Sequence, residues 1–176
     1  MLYYALRYSG VERPPLPVFG PPGWADRLRA FVSHRATPNA VEQAFEVHEV
    51  ADGQRMRVAD IAVTAVRMQH DAPCFGVRIE AGGRVLVYTG DTGPHAGLEV
   101  LATGADLLVA EAGNGLGPES DGHLTAHEAG GVAARSGARL LLTHLAGADP
   151  EACADAARAA GARDVVAAHP GLTLPV

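Results

Sequence analysis

Val85, Leu86, Val87 and Tyr88 form an apolar run that stops abruptly at Gly90-Asp91-Thr92-Gly93. The run predicts a buried strand. The glycines let the backbone turn sharply and approach a ligand closely. Just upstream, FGVRIEAGGRVLVYTG (75–90) places two strands about Ala81-Gly82-Gly83, a hairpin signal. Residues 44–50 alternate apolar and polar, as a half-buried strand does. Residues 56–70 carry Val58, Ile61, Val63 and Val66, which predicts one or two further strands. Earlier still, Val18-Phe19 reads as a short strand and Gly20 to Gly23 as a turn. Trp24, Leu28, Phe31 and Val32 recur at helical spacing, with the helix closing near Ser33. Residues 1–9 resemble the end of a helix.

After Asp91 the period changes. Residues 98–104 predict a short helix closed by Gly104, and 105–112 a buried strand. A glycine-rich loop covers 113–123. Thr125 and Glu128 have capping-box spacing, so a helix should start there. Residues 139–145 predict a strand. Asp149-Pro150-Glu151 reads as an N-cap, a first-turn proline and an acid opening a helix that runs to Gly161. Residues 164–174 predict a closing strand pair. A first half of strands and a second half alternating helix and strand define an α/β (α+β) chain.

The length of 176 residues fits one domain, 1–176, with a real core. The net charge of −6 disfavours a nucleic-acid partner held by charge alone. No apolar run reaches about 18 residues, so no membrane span is expected. Cys74 and Cys153 are far apart, as reduced thiols of a cytoplasmic protein would be.

A carboxylate after four apolar residues is costly to bury alone, so Asp91 wants a cation, a proton or a donor. It also stands where open α/β sheets build their sites. His70 and His144 each end an apolar run. With Asp91 they make a two-histidine, one-carboxylate set suited to zinc, iron or manganese. The competing reading is three satisfied polar groups at strand ends, with Asp91 a turn residue. His123 is either an acid–base group, its unperturbed pKa being near neutrality, or a residue that caps the next helix through its backbone. Glu111 either supports a histidine ligand or is a solvated strand end. His34, His48, His95 and His127 read as surface residues and His169 as part of a turn.

These motifs resemble the metallo-β-lactamase superfamily, in particular its ribonuclease Z-like hydrolases. LPVFGPPG is similar to the family's apolar strand and turn, and MQHDAPCFGVRIE to its histidine motif. YTGDTG is similar to its aspartate motif, GHLTAHEAG to its loop and helix, and LLLTHL to its last metal-binding histidine. The resemblance implies an αββα sandwich and two zincs. His70 would bind one, His144 the other, and Asp91 would bridge them, making Asp91 both ligand and catalytic group. His123 would stabilise the transition state or protonate the leaving oxygen, and a hydroxide between the metals would be the nucleophile.

The family's H-x-H-x-D-H signature is not in this sequence, and LYYALRYS resembles the helix that follows it. A partial sandwich with its first strands absent is therefore expected, with weak zinc binding and little hydrolysis by this chain alone. Only 20 residues separate His70 from Asp91, where tRNA-processing members carry a protruding arm. A small-molecule ester or phosphodiester is thus expected as substrate in preference to tRNA. The alternative is a non-catalytic relative whose uncovered apolar surface associates with itself, as a homo-oligomer, or with another chain.

Overall fold

Strands dominate the first half of the chain, and helix and strand alternate in the second, as the patterning predicts. The structure is a computed structural model that describes residues 10, 12–32 and 41–175. The helix read over residues 1–9, and His34, lie outside the described residues. The chain divides into two compact units, Met1–Ala51 and Asp52–Val176.

In the first unit, β1 (Leu16–Gly20) pairs in parallel with β2 (Phe45–Glu49), from Leu16 opposite Phe45 to Gly20 opposite Glu49. Helix α1 (Trp24–Val32) lies between them in sequence. A small core of Val41, Ala44 and Phe45 packs with Val18, Leu28, Val32 and Val47. Leu28 and Val32 lie four apart, so one helix face supplies both.

The second unit holds a seven-stranded sheet in the order β3-β4-β5-β6-β7-β8-β9. These strands are β3 (Arg55–Val58), β4 (Ile61–Arg67), β5 (Phe75–Ala81), β6 (Arg84–Tyr88), β7 (Leu107–Glu111), β8 (Arg139–Thr143) and β9 (Val165–Ala167). Gly82 and Gly83 both take positive φ, 57° and 75°. That is the mirror-image turn a two-residue hairpin needs, and it joins β5 to β6. Strand β5 is antiparallel to both β4 and β6, and β6 to β9 are mutually parallel. Strands β4, β6, β7, β8 and β9 therefore all point the same way, and their carboxyl ends share one edge of the sheet.

Helices α2 (Ala96–Ala102), α3 (Ala126–Ser136) and α4 (Pro150–Ala159) follow β6, β7 and β8. They contribute Leu98, Leu101, Ala129, Val132, Cys153 and Ala157 to one core with Val87, Leu108, Leu140 and Leu142 of the sheet. Val87, Leu108 and Leu140 stand side by side in register, so they line one face. Tyr88, Val109, Leu141 and Val166 line the other and are only partly covered. No helix among the described residues is long and apolar enough to cross a membrane.

Two boundaries depart from expectation. Helix α2 starts at Ala96 rather than residue 98, because the His95 imidazole accepts the Gly97 N–H at 3.1 Å and caps it. His95 is accordingly half-buried against Met68 rather than a surface residue. The closing strand pair is a single strand, β9. Pro170 has no N–H to donate, and Gly171 at φ 83° turns the chain out of the ladder. The capping box of Thr125 and Glu128 forms as read, with both reciprocal bonds present. Asp149 caps α4 with Pro150 in its first turn.

Candidate functional site

The shared carboxyl edge gathers the chemistry. His70 follows β4, Asp91 follows β6, Glu111 ends β7 and His144 follows β8. These residues share the carboxyl edge of the sheet, where open sheets accept ligands. His123 enters from the loop between β7 and α3. Its ring lies 5.1 Å from that of His70 and 5.2 Å from that of His144, edge-on to both. His144 Nδ1 meets Asp91 Oδ1 at 3.1 Å, and both side chains are a little under half exposed. The structure thus brings His70, Asp91, His123 and His144 together.

Local backbone explains how. Gly90 holds φ 62°, in the left-handed region, and turns the chain after the strand. Gly93 is a close approach: a Cβ there would fall 2.1 Å from the Asp121 carbonyl oxygen. The Asp91 turn and the loop carrying His123 touch backbone to backbone as a result. His144 itself has φ 52°. A non-glycine residue in this region is strained and persists only where its surroundings dictate it, which is common at functional sites.

Glu111 is the group whose role sequence reasoning left open. Its side chain is 1 % exposed. Oε1 accepts from the Thr92 N–H at 2.9 Å, the Leu124 N–H at 3.2 Å and His123 Nδ1 at 3.0 Å, and Oε2 accepts from the Gly113 N–H. Two loops are therefore pinned to one carboxylate: the Asp91 turn, and the 113–123 loop at both of its ends. Backbone N–H groups can only donate, so Glu111 acts as acceptor throughout and His123 Nδ1 carries the hydrogen. His123 Nε2 is left for other work. Thr125, not His123, is the N-cap of α3. The available signal was the carboxylate closing the apolar strand Leu107–Ala110, four residues that leave Glu111 little access to water.

The neighbouring groups carry the imprint of this acidic, half-dry edge. Burial, then the Asp91 carboxylate, pushes the Tyr88 hydroxyl up. Burial is also the main cause raising the Cys74 thiol, which the Asp91 backbone N–H partly offsets.

The donors fit a metal ion. Among the described residues, ligand atoms of Glu111, His123 and His144 lie within 4.8 Å of one another. Glu111 is spent on N–H donors, whereas Asp91 has its exposed carboxylate engaged by His144. Imidazole and carboxylate are the donors zinc takes. The group close enough to share one cation is Glu111, His123 and His144, and Asp91 adjoins it through His144 at 3.1 Å.

Known proteins carry the same arrangement of elements. A family model described as the beta-lactamase superfamily domain matches residues 4–145. An uncharacterized protein of Mycobacterium tuberculosis (strain ATCC 25618 / H37Rv) is 35 % identical over 133 residues, which cover 73 % of this chain and 49 % of that protein. A ribonuclease Z of Mycolicibacterium paratuberculosis is 32 % identical over 154 residues, covering 74 % of this chain and 55 % of that one. The chain thus spans about half the length of these curated relatives. The metallo-beta-lactamase fold protein YhfI from Bacillus subtilis superposes with a TM-score of 0.81 at 23 % identity, over 97 % of this chain and 68 % of that one. Zn(2+)-bound PqqB from Methylobacterium extorquens gives 0.63 at 19 %, over 99 % and 66 %.

Proposed function

Because this chain belongs to the metallo-β-lactamase superfamily, we propose that its histidine–carboxylate edge is a ribonuclease Z-like hydrolase site, metal-dependent and directed at a phosphodiester or another ester. One observation supports this above all. His70, Asp91, Glu111 and His144 end four strands that run in one direction, and His123 stands in ring contact with two of them.

In this reading Asp91, His144 and His70 hold zinc, the ion borne by the PqqB relative of the same fold. When bound, such an ion supplies Lewis acidity to a phosphoryl or carbonyl oxygen. The chain's own residues do the remainder. Glu111 fixes the His123 tautomer by accepting from Nδ1, and His123 Nε2 hands a proton to the leaving oxygen. Asp91 and His144 hold each other in place until a cation separates them. The net charge of −6 favours a small substrate over a long RNA. The family match runs through both compact units, which supports reading 1–176 as one hydrolase domain.

The test is an equilibrium zinc titration, followed by hydrolysis of bis(4-nitrophenyl) phosphate with zinc in excess. The expected result is weak zinc binding that is lost in Asp91→Ala and His144→Ala. Hydrolysis should be lost in His123→Ala with zinc retained. A folded chain that takes up no zinc, or that takes up as much after both ligand substitutions, overturns the proposal.

A further inference from the structure

The loop from Gly113 to His123 is short of side-chain anchors and rich in glycine, with Gly113, Gly115, Gly117 and Gly122 among its residues. Glycine loses more freedom on ordering than any other residue, so such a loop holds one shape only if it is tied down. Asn114 supplies the ties. Its backbone N–H donates to the Leu124 carbonyl at 3.0 Å. Its side-chain Nδ2 donates to the His123 carbonyl at 2.8 Å and to Ser120 Oγ at 2.9 Å. A carbonyl oxygen can only accept, so the amide nitrogen must face His123, and the orientation of the side chain follows from chemistry. Glu111 grips the imidazole of His123 and Asn114 grips its backbone. Gly93 meanwhile lets Asp121 settle against the Asp91 turn.

We propose that Asn114 is the positioning residue for His123: its carboxamide closes the 114–123 loop and holds the imidazole against the rings of His70 and His144. This rests on the hydrolase reading for its catalytic consequence, but the positioning itself does not. Without the amide, the backbone bonds of Asn114 to Leu124 and of Ala126 to Gly115 remain, but the His123 carbonyl loses its side-chain donor and the imidazole keeps its bond to Glu111 only part of the time. Two hydrogen bonds of ordinary net worth correspond to about a tenfold change in the population of the closed loop.

The test compares Asn114→Ala, Asn114→Asp and Ser120→Ala. Asp is nearly isosteric with Asn and folds into the same space, but it cannot donate to the His123 carbonyl. The first readout needs no activity: the slowly exchanging Nδ1–H proton of His123 in an NMR spectrum of the chain. It should broaden or vanish in Asn114→Asp and Asn114→Ala, while the Thr92 N–H resonance bound to Glu111 stays. In Ser120→Ala, which keeps the bond to the His123 carbonyl, it should persist. The second readout is hydrolysis, where kcat should fall about tenfold in Asn114→Asp with KM within about twofold. An unchanged His123 resonance in a folded Asn114→Asp chain overturns the positioning role. Loss of the resonance in a chain whose parent has no hydrolytic activity supports the positioning role and counts against the hydrolase reading instead.

Discussion

The carboxylate of Glu111 is the strongest prediction of the structure, because so much hangs on four hydrogen bonds. Substitution by Ala would leave two buried backbone N–H groups, the half-buried Gly113 N–H and the His123 ring without their acceptor. At about 1–3 kcal/mol for each orphaned buried group, even the lower end removes ~4 kcal/mol. Whole domains are stable by only about 5–15 kcal/mol, so that variant is a poor probe. Glu111→Gln is the informative one. Its single carbonyl oxygen goes where Oε1 stands, since three donors converge there. The NH2 group then faces the Gly113 N–H, donor against donor. One charge-assisted bond is lost, worth about 1.5–3 kcal/mol, and two buried donors oppose each other. Urea unfolding should therefore give a loss of about 2–3 kcal/mol with an unchanged m-value. The Gly113 N–H resonance should move, while those of Thr92 and Leu124 stay near their parent positions. A Glu111→Gln chain within about 0.5 kcal/mol of the parent would refute the idea that this carboxylate ties the Asp91 turn to both ends of the 113–123 loop.

Two further outcomes follow from the same packing. The His95 imidazole caps α2 through Nδ1 and sits against Met68 Sδ, and burial lowers its pKa, with Asp52 pulling weakly the other way. A histidine held neutral contributes stability above its ordinary pKa of about 6.5 and loses it as pH falls through the lower folded value. His95→Asn keeps a capping oxygen but does not titrate, so the melting temperature of the parent should drop relative to this variant on acidification from pH 7; parallel curves would contradict this. At the contact of α3 with α4, a Cβ on Gly130 would lie 2.4 Å from the Ala157 carbonyl oxygen, whereas one on Gly131 meets only the far end of Arg135 at 3.1 Å. Gly130→Ala should cost at least about 1 kcal/mol in urea unfolding despite better helix propensity, and Gly131→Ala should gain up to about 1 kcal/mol; equal effects would show that the helices do not meet there as described.

Local patterns made most elements readable. The hairpin at Gly82-Gly83, the capping box of Thr125 and Glu128, and the Asp149-Pro150 helix start are all settled within four residues of chain. His95 escaped for a physical reason: an imidazole caps a helix only when its ring is turned inward, and what turns it is Met68, 27 residues away. The second strand of the expected closing pair failed because pairing needs a partner edge as well as apolar residues, and Pro170 removes a donor where the ladder would continue.

The candidate site divides along the same line. His70, Asp91 and His144 could be picked out as sequence, since each stands at or just past the end of an apolar run, and His123 because it closes a glycine-rich loop just before a helix. The apolar run alone determined that a strand would end there and leave a polar side chain at the sheet's rim. That the four converge depends on β4, β6, β7 and β8 running in one direction, a property of pairing between distant segments. The role of Glu111 was likewise decided only in three dimensions. A glutamate closing an apolar strand is written the same way whether water or backbone N–H groups satisfy it. Here Thr92 arrives from the Asp91 turn, and Gly113 and Leu124 from the two ends of the 113–123 loop, to do so. Burial and hydrogen-bond partnership are set by what the fold brings near, so they become definite only once the sheet has closed its order.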